Sequence, residues 1–257
     1  MDKDISAHYS CMTKGMVHDW RTKWGLKTMP FFFTQLAPYT QGGPYGQKLA
    51  TMRLVQSGLV DYADTMCMVG PSVCRAALRT SRPGSASPDA VRDWPSSAQA
   101  TAVDLGDVNS PFGNIHPRNK SEVGRRLGLC ARALCFGEAV LPTGPVYASS
   151  AATATVGEAA VQFVAMGSAE EQRLMIRAGT CPVAASECAG FELQDKSGKW
   201  HAATAVVSAR PREVLVRADG LKQRPVAVRY GFNDWPVTTL FNGVGLPALP
   251  FYGKCAP

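Results

Sequence analysis

The run Phe31-Phe32-Phe33-Thr34-Gln35-Leu36-Ala37 limits the possible folds of this chain more than any other stretch. It is short, set between Pro30 and Pro38, and apolar on both faces, the pattern of a central parallel strand covered by helices on each side. A strand with one wet face would alternate instead. Parallel neighbours require crossover connections, so an α/β layered domain is expected around it. Ala100–Leu105 (ATAVDL), stopped by Gly106, reads as a second buried strand.

Helices are expected between these strands. From Asp4 to Trp24 the residues Ile5, Tyr9, Met12, Met16, Trp20 and Trp24 recur at spacings of three and four, an amphipathic stripe that core packing explains fully, with Gly25 as its stop. The first strand leads into a loop from Tyr39 to Gln47 containing Gly42, Gly43, Pro44 and Gly46, and then into a helix through Leu49, Met52, Leu54, Val55 and Leu59. The second leads into Asp104–Lys120, DLGDVNSPFGNIHPRNK. There Asn119 followed by Glu122 marks a helix start, Val123, Leu127, Cys130 and Leu134 keep helical spacing, and Gly137 ends the helix after Phe136. His116 therefore lies on a strand-to-helix loop, where open α/β sheets gather ligands and catalytic groups. A histidine on a Gly- and Asn-rich loop also serves well as a simple partner for exposed carbonyls.

From Asp64 to Ser97 no period survives, and Ser81-Arg82-Pro83-Gly84-Ser85-Ala86-Ser87-Pro88 is a breaker run, so residues 64–97 are expected to be an insertion or disordered loop. Pro142, Gly144 and Pro145 mark a linker, beyond which the pattern is strands alone: Ala160–Ala165, Gly190–Gln194, Ala203–Ser208, Glu213–Arg217 and Val226–Tyr230, parted by turn residues. Two domains are expected, an α/β unit at 1–142 and a small antiparallel β-sandwich at 143–257.

Composition narrows the function. The longest apolar runs, Phe31–Phe33 and Ala202–Val207, fall far short of the ~20 residues that span a bilayer, so no membrane-spanning helix is expected. The net charge of +7 is dispersed. Its two modest clusters, Arg118, Lys120, Arg125 and Arg126, then Arg210, Arg212, Arg217, Lys222 and Arg224, lack the interleaved aromatics of a nucleic-acid groove, so no nucleic-acid partner is expected. The eight cysteines form no CxxC and no zinc-ligand spacing, and Cys181 with Cys188 is the nearest local pair should disulfides form. The opening MDKDISAHYSC shows no basic region followed by an apolar leader.

Three blocks around the histidine, Gly106-Asp107, Ile115-His116-Pro117-Arg118-Asn119-Lys120 and Val123-Gly124-Arg125-Arg126-Leu127, resemble the C-terminal catalytic block of the sialate O-acetylesterase family. These are carbohydrate esterases of the SGNH-hydrolase fold. The resemblance extends through FFFTQLAPY, Arg53-Leu54-Val55-Gln56, GFEL, SGKWHAATA, PVAVRYGFNDWP and LFNGVGLPALPF. It implies the C-terminal part of a three-layer α/β/α domain followed by the β module, acting on O-acetylated sugars or sialoglycans, with no metal or organic cofactor. Family members are often secreted or lysosomal.

His116 would be the base of a serine ester hydrolase. An Asp three residues before the His usually orients it in this fold group, and here that position is Gly113. Asp107 is the candidate orienter, with Asp104 or a main-chain carbonyl as alternatives, and an Asp that merely caps its own loop is equally physical. Gln35 and Arg53 are candidate substrate-binding residues; otherwise Gln35 caps backbone with its amide and Arg53 is an ordinary surface charge. The family's GQSNM-like nucleophile segment and WYQGE(S/A)N block do not occur in these residues, and DISAHYSC corresponds to the pattern just downstream of the latter. A fragment of such an esterase is therefore expected, the alternative being a non-catalytic carbohydrate-binding or interaction protein derived from one.

Overall fold

The computed structural model describes residues 3–26, 29–39, 46–57, 97–179 and 190–256. All but the last residue of the expected 64–97 insertion, and the Cys181/Cys188 pair, lie outside the described residues. The chain builds α1 (Lys3–Lys23), β1 (Phe31–Gln35), α2 (Lys48–Ser57), β2 (Ser97–Thr101) and α3 (Lys120–Phe136) before its β-rich part. β1 and β2 are parallel, in register from Phe31 opposite Ser97 to Gln35 opposite Thr101. The Ala102 amide extends the ladder by donating to the Gln35 carbonyl, and the chain then turns, Leu105 N–H bonding back to Ala102. The second strand thus stops earlier than its apolar run suggested.

Local chemistry sets α3. The Asn119 side chain accepts the Glu122 amide, and Gly137 closes the helix in the left-handed conformation at φ 64°. The reciprocal half of a capping box is missing, because the Glu122 carboxylate takes Arg125 and Arg126 instead. α3 packs on β1 and β2, while α1 lies on α2 and reaches β1 through an edge-on contact of Trp20 with Phe31. The expectation that core packing accounts for the α1 stripe is corrected. Met12 and Trp24 are 73% and 61% exposed, and Tyr9, Met16 and Trp20 are exposed as well. Among the described elements, α1 packs chiefly on α2.

The β-rich part departs from the expected sandwich. Seven strands, β3 (Tyr147–Ala152), β4 (Glu158–Phe163), β6 (Phe191–Gln194), β7 (Trp200–Val207), β8 (Glu213–Arg217), β9 (Ala227–Tyr230) and β11 (Phe251–Ala256), close into a barrel in the order β11-β3-β4-β8-β7-β6-β9. Two corner strands make the closure. β7 pairs with β6 through Trp200–Ala203 and with β8 through Thr204–Val207. β11 runs antiparallel to β9 through Lys254, then pairs parallel with β3 at Cys255 and Ala256. A strand that changes partner midway removes the open edges a sandwich would keep. Val161, Leu193, Val214, Val216 and Val228 point inward and are fully buried, each worth about 1.5–3 kcal/mol of apolar burial. Phe251 fills the centre, its ring centroid 4.7 Å from Tyr147 and 5.7 Å from Tyr230.

A short helix, α4 (Ala169–Gln172), precedes β5 (Leu174–Ile176), which pairs antiparallel with β10 (Leu240–Asn242) beside the barrel. Tyr230 joins the two units. Its buried hydroxyl accepts the amides of Thr239 and Leu240, both at 3.0 Å, and burial pushes the phenol up to about 12. Tyr230→Phe leaves both amides without their acceptor, so a loss of about 1–3 kcal/mol in unfolding free energy is expected. Urea denaturation measures it, as a lower midpoint at constant slope; an unchanged midpoint would show that the hydroxyl is dispensable.

Candidate active site

The barrel meets the α/β part through the loop after β9, which crosses the carboxyl ends of β1 and β2. Arg53, on α2, is the centre of that contact. Fully buried, it donates from Nε to the Leu36 carbonyl at 2.7 Å, from Nη1 to Asn233 at 2.7 Å, and from Nη2 to Ala37 at 2.9 Å and Asp234 at 3.0 Å. Burial lowers its pKa to about 10, against the opposing pull of the Asp234 carboxylate. Gln35 is buried at the end of β1 and donates through Nε2 to the Arg53 carbonyl at 3.0 Å. Asp234 in turn accepts the Leu49 amide through Oδ1 at 2.7 Å, at the start of α2.

Both residues expected at the substrate thus sit in the joint between the two parts, with donors committed to main-chain carbonyls. For Gln35 the amide-to-backbone role is the geometry found. Arg53 is neither a surface charge nor a lining residue of the cleft described below.

From Ala102 to Asn119 the chain is a series of turns. The Ser110 amide bonds to the Asp107 carbonyl, Gly113 to Ser110, and His116 to Gly113. Ser110 braces them, its hydroxyl donating to the His116 carbonyl at 2.6 Å and accepting the Phe112 amide at 3.3 Å. At the loop's base, Val103 accepts a hydrogen bond from the Thr238 hydroxyl. Gly106 fits only because it lacks a side chain: a Cβ there would lie 2.7 Å from the Trp235 ring and 2.8 Å from Pro38.

Each acid in this region is held by an arginine. Asp104 forms a two-point pair with buried Arg126, at 2.6 and 2.8 Å. Asp107 forms another with Arg118, at 2.6 and 3.1 Å, and the Arg118 hydrogen bond holds its carboxyl below the usual carboxylate range. Glu122, bonded first by Arg125 and then by Arg126, is lowered to about 2. His116 stands exposed on the same loop, its imidazole without a polar partner among the described residues. Asp107 and His116 are therefore neighbours in one loop, with the Asp107 carboxylate directed to Arg118.

A cleft of about 410 Å³ opens between this loop and the segments that follow β5 and lead into β10. Its wall includes Pro38, Asp104, Asp107, Arg177, Trp235 and Phe241. It lies at the carboxyl ends of the two parallel strands, the side on which α/β sheets bind ligands. Arg177 was not legible in the sequence, since it follows β5 in LMIRAG with no motif around it. The loop contributes residues from within 103–109 to this wall, whereas His116 lies further along the same loop and is not a lining residue; an exposed imidazole there can accept a proton from a hydroxyl delivered to it. Ser110 does not deliver one, its hydroxyl being committed to the His116 carbonyl. Among the described residues, no group of three or more His, Cys, Asp or Glu side chains is placed to hold a metal ion.

No family model matches the chain. It is 25% identical to the sialate O-acetylesterase of Mus musculus, an alignment covering 96% of this chain and 41% of that protein. It is 30% identical to the sialate O-acetylesterase of Homo sapiens, over 61% of this chain and 29% of that protein. Its fold matches a carbohydrate acetylesterase from Xanthomonas citri with a TM-score of 0.67 and 29% identity, over 95% of this chain and 46% of the other. The chain spans less than half the length of each of these relatives. Along nearly its whole length, the mixed α/β chain with its closed barrel is thus similar to one curated sialate O-acetylesterase and to one solved carbohydrate acetylesterase.

Proposed function

We propose that this chain carries the histidine side of a serine-dependent site that removes O-acetyl groups from sialic acid or related sugars, as the C-terminal portion of such an esterase. One observation carries the reading: an unpartnered imidazole, His116, on a braced loop beside a cleft at the carboxyl ends of parallel strands. The relatives' names support the reaction class. The serine would come from the part of the family's length that this chain does not span. His116 would take the proton from that hydroxyl as its oxygen bonds the acetyl carbon, then pass the proton to the departing sugar oxygen. A water attacking the acetyl-serine, deprotonated by the same imidazole, would release acetate and restore the serine. Asp107 would stabilise the imidazolium by turning from Arg118 as the site is completed.

A second reading, a non-catalytic carbohydrate-binding protein, is favoured by one observation: Asp104 and Asp107 both point to arginines and neither to the imidazole. Rate measurements separate the two. The isolated chain is expected to hydrolyse a chromogenic acetate no faster than buffer. Joined to the N-terminal portion of a family esterase, covalently or by co-folding, it is expected to turn over that acetate and an O-acetylated sialoside. A folded complex without turnover would favour the binder, and enzyme-like turnover by the isolated chain would refute the divided site.

A further inference from the structure

We propose that Arg177 is a specificity-determining residue that receives the carboxylate of the substrate, so that the cleft selects acetylated sugars bearing an acid over neutral ones. The inference rests on the esterase reading and names the substrate class of the same site.

The charge layout of the cleft comes first. Among the described residues on its wall, the charged side chains are Asp104, Asp107 and Arg177. The two acids are each neutralised by a two-point pair from behind, Asp104 by Arg126 and Asp107 by Arg118. Arg177 has no such counterion among the described residues, so the cleft wall carries one uncompensated positive charge, on a guanidinium held over the ring of another wall residue, Phe241. A concave, low-dielectric wall concentrates the field of one such charge and favours an anion.

Geometry supplies the second argument. Arg177 directly follows β5, and its amide donates to the Thr239 carbonyl at 2.8 Å, which anchors its backbone beside β10. Its guanidinium lies over the Phe241 ring, 4.7 Å from the centroid. The contact with the ring is made without an N–H donor, so an edge of the planar guanidinium, with its paired N–H donors, is left for an acceptor. A planar carboxylate fits that edge with two parallel hydrogen bonds, which a neutral hydroxyl cannot reproduce. Much of the side-chain ordering that binding would otherwise require is already done by Phe241.

The test compares two esters in the reconstituted esterase, an O-acetylated sialoside and an O-acetylated neutral hexoside. In Arg177→Gln the ratio of their kcat/KM values is expected to fall roughly ten- to hundredfold, the value of a charge-assisted pair, chiefly through KM for the acid. Arg177→Lys, keeping the charge but not the fork, should fall between. Arg173→Gln, which removes a guanidinium paired with Glu170 off the cleft wall, should leave the ratio unchanged. In parallel, the isolated chain titrated with the methyl glycoside of N-acetylneuraminic acid should bind it more tightly than the corresponding methyl ester, and Arg177→Gln should erase the difference. An unchanged ratio in Arg177→Gln, or equal binding of acid and ester by the wild-type chain, overturns the proposal while hydrolysis of the hexoside ester still stands. Loss of hydrolysis of every ester by the wild-type complex would instead strike the esterase reading, and the titration would still decide the role of Arg177.

Discussion

Replacing His116 by alanine in the reconstituted esterase is expected to lower kcat by roughly four to six orders of magnitude, the cost of removing the base from a serine-histidine pair. The fold should not suffer. The imidazole is exposed and makes no side-chain hydrogen bond among the described residues, and the loop is braced by the Ser110 hydroxyl and the His116 main chain. The variant should therefore keep the wild-type urea midpoint. Asp107→Asn should cost less, since other acceptors can hold the imidazole, although it also weakens the pair with Arg118. Rates on a chromogenic acetate for wild type and both variants make the comparison. A reconstituted His116→Ala with full activity would remove the histidine from the mechanism.

Arg53→Ala should have the largest effect on stability, about 3–5 kcal/mol, because it strips a buried cation from the joint and leaves the carbonyls of Leu36, Ala37 and Asn233 without their donor and that of Asp234 with the Tyr39 amide. Arg53→Lys should recover only part of this, since one ammonium cannot span four carbonyls on two segments. The loss should appear as a lower urea midpoint and as faster proteolysis near the joint between the barrel and the α/β part. A cost below about 1 kcal/mol, the range of an exposed charge, would contradict the role assigned to it.

Gln35 and Arg53 show how far the sequence reaches. Their place in a family-like pattern was visible, and the pattern was read as substrate contact. Their surroundings in the fold were not visible: Arg53 is held by the Asn233–Asp234 segment, 180 residues away from it in the chain, whose carbonyls accept its guanidinium. Asp104 and Asp107 were legible as acids near a histidine. That Arg126 and Arg118 would claim them depended on side-chain directions on α3 and on its approach to β2.

What the sequence by itself determined is what short-range physics controls. Asn119 and Gly137 bound α3 because a side-chain oxygen and a left-handed glycine satisfy helix ends locally, and a strand-then-helix order puts His116 on a loop whatever lies around it. Several strands of the β-rich part were legible for the same reason, from alternation and turn residues. β3, with its run of small residues YASSAA, and β11, hidden behind the proline-rich tail LPALPF, were not. Only the tertiary structure decided that the strands close into a barrel, since closure rests on β7 and β11 changing partners midway, a pairing between distant segments that no local pattern encodes. Long-range packing likewise left the α1 stripe exposed, buried Arg53, and brought Arg177 to a cleft built from segments more than 50 residues apart in the chain. Burial and charge pairing depend on which surfaces meet, and that is settled only once the whole chain has folded.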